Sequence, residues 1–302
     1  MLRLDHLLCL VATPSSSPAL RQAVHLAAAY DTTVHVMSMG EAFSPSDVRD
    51  AVEADERRLG RSVRVHPHIE VLPDDQEKAL EEIKEYVGNA GVDLVLSDAR
   101  PNHGAESVVA DRWGYALVEK LDCPIFMADA CDEPVRVERI LVPTDLTAAS
   151  VNILKQAIGV AKSYDASIVL LHVLEANPYV ALTPMDRLSL GATTLSEHRA
   201  RRRLHHLVKK AGMEDEEIYP RIVFGTPADQ ITRFVDENGV DLVVLSSHGA
   251  SARPDRLLGP VTDDLVRRLA CPFFLVRPSG KLLLSAGEEM KVENHSGESN
   301  GS

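Results

Sequence analysis

The strongest constraint on the fold of this chain is an internal repeat. Residues 91–95 and 239–243 both read Gly-Val-Asp-Leu-Val, an offset of 148 residues. The same offset aligns five positions that follow, Leu117, Val118, Leu121, Cys123 and Pro124, with Leu265, Val266, Leu269, Cys271 and Pro272. An offset of 134 residues aligns Leu20, Gln22, Ala23, Ala27, Tyr30 and Asp31 with Leu154, Gln156, Ala157, Ala161, Tyr164 and Asp165. The chain is therefore predicted to hold two copies of one domain, the second with an insertion in its middle.

Each copy alternates short apolar runs with amphipathic segments. In the second copy the predicted strands are 139–144, 167–174, 217–224, 241–245 and 272–276, and the predicted helices are 148–164, 188–211, 227–238 and 259–269. This alternation is typical of parallel strands joined by right-handed helical crossovers. We therefore predict an α/β fold of two tandem, Rossmann-like domains, each with a five-stranded parallel sheet in the order 3-2-1-4-5.

The repeat also predicts the domain organisation. The first domain is predicted to span residues 1–130 and the second residues 138–278. Residues 279–302 lose the apolar periodicity and turn to Gly, Ser, Glu and Asn, so we predict a disordered tail. The last strand of each copy is apolar and lies on a sheet edge, which is an aggregation hazard unless it is paired. The two domains are therefore expected to pair intramolecularly as a pseudo-dimer.

Composition excludes several classes of function. The net charge of −13 argues against a nucleic-acid binder, and no apolar stretch reaches the length that spans a bilayer. The four cysteines form no Cys-x-x-Cys pair, and no Cys/His cluster has zinc-ligand spacing. The sequence thus indicates a reduced, cytoplasmic protein without a metal site.

In an open α/β sheet the ligand lies beyond the carboxyl ends of the strands, where the strand order reverses. After the first strand of the second copy come Pro143, Thr144 and Asp145. A carboxylate at this position can accept a hydrogen bond from the amine of adenine, or it can cap the following helix. On these residues alone, the helix cap is the preferred role.

The segment after the fourth strand of the second copy is typical of a phosphate site. Glycines permit a tight turn and close backbone approach, the N-terminus of the next helix favours anions, and arginines bind phosphate oxygens. The candidate residues of this segment are Ser246, His248, Gly249, Arg253, Arg256 and Gly259.

These segments together resemble the universal stress protein family. Residues 139–145 (Arg-Ile-Leu-Val-Pro-Thr-Asp) are similar to its opening strand, and residues 246–276 to its closing half, which in nucleotide-binding members reads G-x2-G-x9-G-[ST]. The resemblance implies a five-stranded α/β fold, binding of ATP or AMP, and a role in stress survival. The resemblance also implies that Asp145 holds adenine with Val173 beside the ring, and that Gly249 and Gly259 frame the phosphates. The sequence has no Gly-rich pyrophosphate loop, Walker A motif or G-x-S-x-G motif, so we expect a regulatory protein rather than an enzyme.

The second copy departs from the family pattern at two positions. Ser246 stands where the first glycine of the motif belongs, and Pro260 stands where its hydroxyl residue belongs. Proline suits the first position of a helix but offers a phosphate neither an N–H nor a hydroxyl. Thr262 then has two open roles, as a replacement for that hydroxyl or as a solvent-facing residue.

The first copy departs further. Val11 is aligned with Asp145, and Asp98, Pro101, Asp111 and Arg112 are aligned with Ser246, Gly249, Gly259 and Pro260. Because acids and a proline repel or block a triphosphate, we expect the first domain to bind no nucleotide or a different ligand.

Three functions remain open at this point. They are a regulatory nucleotide-binding protein, a ligand-free interaction or scaffold protein, and a slow ATP hydrolase. A basic run between Arg199 and Lys210 is either a solvated helix face or a surface for an acidic partner. A homodimer and an unidentified protein partner are also left open.

Overall fold

The computed structural model describes most of the chain. The described residues are 4–11, 13–38, 43–73, 75–98, 110–128, 137–175, 186–212, 218–247, 258–269 and 271–277. The predicted tail lies outside them, and so does the predicted boundary between the domains, residues 129–137, except for Val137.

Strands and helices alternate along both halves. The strands are β1 His6–Val11, β2 Thr33–Ser38, β3 Arg64–Val71, β4 Leu94–Asp98, β5 Ile125–Ala128, β6 Arg139–Pro143, β7 Ser167–Leu174, β8 Ile218–Phe224, β9 Leu242–Ser246 and β10 Phe273–Val276. The helices are α1 Pro18–Tyr30, α2 Pro45–Leu59, α3 Gln76–Ala90, α4 Ala110–Lys120, α5 Ser150–Tyr164, α6 Asp186–Lys210, α7 Pro227–Asn238 and α8 Pro260–Arg268. With 25 residues, α6 is longer than its counterpart α2 with 15, which locates the insertion in the second copy.

All ten strands form one sheet in the order β3-β2-β1-β4-β5-β10-β9-β6-β7-β8. Within each half the strands are parallel and follow the order 3-2-1-4-5, as predicted. The halves meet where β5 and β10 pair antiparallel. The expected pairing of the two apolar edge strands is therefore confirmed, and the halves are related by an approximate two-fold axis.

Aromatic side chains close the junction between the halves. Phe126 and Phe274 are partners in the β5–β10 register, and their ring centroids lie 6.2 Å apart. Next to them α1 packs on α5, where the Tyr30 hydroxyl donates to the Gly159 carbonyl at 2.5 Å. Burial raises the pKa of Tyr30 to about 12. From the other half, Tyr164 stacks on the His25 ring with centroids 4.0 Å apart.

Helices cover both faces of the sheet, as buried parallel strands require. One apolar core lies between the sheet and the layer of α1, α2, α5 and α6, and the other lies beneath α3, α4, α7 and α8. None of the described helices combines the length and the apolar character that crossing a bilayer needs.

The amino-terminal edge of the sheet is alike in both halves. The Asp93 carboxylate accepts from the backbone N–H groups of Asp5 and His6 at 2.8 and 3.2 Å. Asp241 does the same for Glu138 and Arg139 at 2.8 and 2.9 Å. The repeat is thus visible in hydrogen bonds as well as in sequence.

The sheet register corrects one alignment. Leu7 pairs with Leu94 as Ile140 pairs with Leu242, so the first strands of the copies are offset by 133 residues rather than 134. The position of Asp145 therefore corresponds to residue 12, an alanine outside the described residues, and not to Val11. The error arose because the spacing between first strand and first helix differs by one residue. The first copy has no carboxylate at either position.

Candidate functional site

A cavity of about 330 Å³ opens at the carboxyl ends of β6, β7 and β9 in the second half. The starts of helices α5, α7 and α8 complete its wall. The site residues predicted from sequence that line it are Pro143, Thr144, Asp145, Val173, Ser246, Gly259 and Thr262. The fold thus brings together segments that are more than 100 residues apart in the sequence. His248, Gly249, Arg253 and Arg256 lie outside the described residues.

The loop after β6 is organised by Asp145. Its Oδ1 accepts hydrogen bonds from the N–H and hydroxyl of Thr147, at 3.0 and 2.8 Å, and from the Ser150 hydroxyl at 3.0 Å. Leu146 turns the chain with a left-handed φ of 60°, which is uncommon for a branched side chain. Ala149, not Asp145, is the N-cap residue of α5. The preferred cap role was therefore wrong: Asp145 holds the preceding turn.

Strand β7 contributes the opposite side of the cavity. Val173 lines it, and His172 beside it places Nδ1 at 2.8 Å from the Thr144 carbonyl oxygen. Because a carbonyl oxygen only accepts, Nδ1 carries the hydrogen. This bond, with the Thr144 N–H donating to the Leu171 carbonyl at 2.8 Å, fixes the chain that carries Asp145.

Helix α8 forms the third side. The Gly259 N–H donates to the Ser247 carbonyl at 2.8 Å, and the Thr262 hydroxyl donates to the Ser246 carbonyl at 2.7 Å. Thr262 is only 8% exposed, so the solvent-facing role is wrong. Its hydroxyl hydrogen already serves to tie α8 to the end of β9.

Two backbone donors remain at the start of α8. The N–H groups of Val261 and Thr262 have no hydrogen-bond acceptor in the part of the chain that the structure describes, and both residues line the cavity. Gly259, the N-cap residue, provides no side-chain cap. Such free donors at a helix N-terminus attract anions.

Sequence reasoning missed two residues with titratable side chains that line the cavity, His172 and Glu175. Both follow from the pattern of β7, since they lie at its carboxyl end beside Val173, where polar residues break an apolar run. Across the described ranges, no three His, Cys, Asp or Glu side chains are grouped so that they could hold a metal ion.

The corresponding place in the first half is occupied by a buried carboxylate. Asp98, aligned with Ser246, accepts from the Ala19 N–H at 2.8 Å and from the Ser17 hydroxyl at 3.2 Å. It thereby caps α1 from the end of β4. Burial raises the pKa of Asp98, although these hydrogen bonds and nearby Arg21 oppose the shift. Pro101 and the side chains of Asp111 and Arg112 are outside the described part.

Sequence comparisons with known proteins find similarity in the second half of the chain. Residues 136–277 match the model of the universal stress protein family. Universal stress protein MJ0531 of Methanocaldococcus jannaschii is 28% identical over 144 residues, which are 48% of this chain and 84% of that protein.

Solved structures extend the likeness to both halves. A protein of unknown function from Pseudomonas aeruginosa, PA1789, superposes with a TM-score of 0.67 at 14% identity, covering 91% of this chain and 93% of its own. A universal stress protein from Archaeoglobus fulgidus superposes with a TM-score of 0.57 at 14% identity, covering 91% and 99%. At such identities the likeness shows the fold alone. Residues 136–277 therefore carry a universal stress protein domain, and nearly the whole chain shares its fold with these solved structures.

Proposed function

We propose that the second domain binds an adenine nucleotide, AMP or ATP, and that the protein is a regulatory component of a cytoplasmic stress response rather than an enzyme. The observation that carries this proposal is the cavity at the carboxyl ends of β6, β7 and β9. Its volume of about 330 Å³ falls within the range of small-molecule sites, about 300 to 1,000 Å³.

One end of the cavity suits a flat, mostly apolar base. Val142, Ile153, Leu171 and Val173 give it apolar walls, and Asp145 supplies an acceptor at the rim. Adenine offers a π-face to such walls and an exocyclic amine to such a carboxylate. Asp145 also holds its own loop through Oδ1, so its position is fixed before a ligand arrives.

The other end suits a phosphate. The N–H groups of Val261 and Thr262 and the dipole of α8 favour negative charge. Arg253 and Arg256 belong to the connection that leads into this helix. Pro260 provides no N–H and the Thr262 hydroxyl hydrogen is used, so we expect modest affinity for a triphosphate.

A ligand-free interaction protein is the second candidate. Two observations favour it: Pro260 replaces a phosphate-binding residue type, and the Thr262 hydroxyl is committed to Ser246. Slow ATP hydrolysis is the enzymatic alternative, and it predicts ADP release during a titration with ATP.

Mass spectrometry of small molecules released from protein purified without added nucleotide separates these candidates. The proposal predicts AMP or ATP at up to one equivalent per chain. A calorimetric titration with ATP, AMP and adenosine then measures affinity, and product analysis measures turnover. No bound nucleotide and no heat with any of the three ligands would favour the interaction protein instead.

A further inference from the structure

We propose that the outer face of helix α6, with the adjoining end of strand β8, docks an acidic amphipathic segment of a partner protein. We call this face the α6 surface and define it by six exposed residues: Leu195, Arg199, Arg202, Arg203, His206 and Phe224. The proposal does not rest on nucleotide binding.

Charge is the first observation. Helix α6 holds seven lysines and arginines against two acids, a net charge of +5 in a chain of −13. From His198 to Lys210 the sequence has no acidic residue. The counterpart helix α2 holds three arginines against five acids, a net charge of −2. Equivalent positions in the fold thus carry opposite charge.

The fold does not explain this basic run. Ala200, Leu204 and Leu207, with exposures of 4%, 0% and 5%, supply the contact of this run with the core. On the outer face, Arg199 and Arg203 are four residues apart, where like charges destabilise a helix. Acidic residues between the basic ones would stabilise a helix that serves packing alone, and α2 has such residues.

Exposed apolar side chains are the second observation. Among the described residues, Leu195, Tyr219 and Phe224 are the large apolar side chains with high exposure, at 50%, 45% and 43%. Leu195 lies on α6 and Phe224 on β8, which are in contact, whereas Tyr219 lies on the other face of β8, with Val223. Phe224 shares a sheet face with Ile218 and Ile222, which pack on the core beneath α6. Arginine beside exposed apolar groups is typical of protein interfaces.

The edge of the sheet itself is protected from strand addition. Pro220 lies in the edge strand β8 and has no N–H to donate. Its carbonyl oxygen accepts from the Arg221 guanidinium at 3.2 Å. The partner is therefore expected to lie across side chains of α6 rather than to extend the sheet.

The chemistry of the surface favours an acidic protein segment over a nucleic acid. Leu195 and Phe224 offer apolar contacts that a phosphodiester backbone does not use. A long polyanion would also extend past α6 onto a molecule whose other residues are strongly acidic. A short segment with acids on one face and apolar anchors beside them matches both features.

The test uses a synthetic acidic helix as the probe and the full chain as the receptor. The labelled peptide carries glutamates and leucines at helical spacing over about 20 residues, about 30 Å, which exceeds the length of the basic run. A twin peptide has glutamine in place of each glutamate. Binding is measured by fluorescence anisotropy at low and high salt.

The matched receptor variants are R199E/R203E on α6 and R49E/R57E on α2, which change the net charge equally at exposed positions. We expect R199E/R203E to weaken peptide binding by at least about tenfold, whereas R49E/R57E stays within about twofold. Leu195→Ser should weaken binding several-fold without altering the salt dependence. Circular dichroism checks that each variant is folded.

Three results of the peptide measurements would overturn the proposal. They are equal losses in the two double variants, equal binding of the glutamine twin, and no binding of the glutamate peptide at low salt. Single-stranded oligo(dT) and phosphatidylserine vesicles serve as competitors. If either displaces the peptide at a lower concentration than unlabelled peptide does, the partner class is wrong.

Discussion

The two halves of the molecule are alike at one edge of the sheet and different at the other. At the amino-terminal edge, Asp93 and Asp241 make the same pair of backbone hydrogen bonds. At the carboxyl edge, Asp98 caps α1 in the first half, while Ser246 lines a cavity in the second. The duplication has thus kept the hydrogen bonds that hold the amino-terminal edge and changed the residues at the carboxyl edge, where the loops of such folds carry function.

At the junction, equivalent substitutions in the two halves should destabilise the protein by similar amounts. Phe126 and Phe274, 1% and 0% exposed, face each other across the pseudo-two-fold axis. Replacing either by alanine should lower the free energy of unfolding by about 3 to 5 kcal/mol, since each change leaves a cavity in the core. Urea unfolding of both variants measures this. If only one variant loses unfolding free energy, the two halves do not contribute equally to the junction.

At the carboxyl edge of the first half, Asp98→Ala should lower the free energy of unfolding by about 1 to 3 kcal/mol. The Ala19 N–H and the Ser17 hydroxyl would lose their buried acceptor. Asp98→Asn should cost less, because the amide oxygen still accepts. Thermal unfolding of the three proteins gives the ranking, and a larger loss for Asn than for Ala would refute the cap.

The buried carboxyl group of Asp98 should also make the stability of the protein depend on pH. Burial raises the pKa of Asp98, so the folded state disfavours the ionised form. Its contribution to stability is most favourable below the unfolded pKa and declines as pH rises through the raised folded pKa. The stability of wild type relative to Asp98→Asn should therefore fall with rising pH in that window. A rise instead would mean that the carboxylate is stabilised as a charge.

Substitutions at the amino-terminal edge of the sheet should have smaller and equal effects on stability in the two halves. Asp93→Ala and Asp241→Ala each remove the acceptor of two partly exposed backbone donors. We expect a loss of about 1 to 2 kcal/mol in unfolding free energy for each variant. Amide hydrogen exchange at His6 and Arg139 locates the change. Protection that falls in one half only would show that the two edges are not equivalent.

The smallest expected effect concerns Pro260. Pro260→Ser restores an N–H and a hydroxyl at the first position of α8, where a phosphate would lie. ATP should bind more tightly by about 0.5 to 1.5 kcal/mol, the net value of one added hydrogen bond. Adenosine, which has no phosphate, is the control and should gain nothing. If calorimetry shows an equal gain in affinity for ATP and adenosine, the phosphates do not bind at the start of α8.

The fold was predictable from sequence to a large extent. Alternating apolar runs gave the strands, and the identity of residues 91–95 and 239–243 gave the repeat, so the strand order and the β5–β10 pairing followed. One alignment failed at Val11, because a single-residue difference in a loop leaves no apolar signal. Only the pairing of Leu7 and Ile140 with their neighbours revealed the shift.

The location of the candidate site could be predicted from the sequence, but the hydrogen bonds around it could not. The rule that ligands lie at carboxyl ends of strands located Asp145, Ser246 and Gly259. It could not show that Thr262 is bound to the Ser246 carbonyl, or that Asp145 holds Thr147 and Ser150, because such bonds depend on how loops meet in space.

Calorimetric titration of the full chain with AMP tests the central claim most directly. We predict one site per chain, weakened by about 1 to 2 kcal/mol in Asp145→Ala through loss of a polar contact to the base. Asp145→Asn keeps an acceptor for Thr147 and Ser150 and separates the loss of loop structure from the loss of the ligand contact. Asp98→Ser, in the first half, should leave the affinity of this site unchanged. Two equal sites per chain, or full affinity in Asp145→Ala, would contradict the assignment of nucleotide binding to the second half.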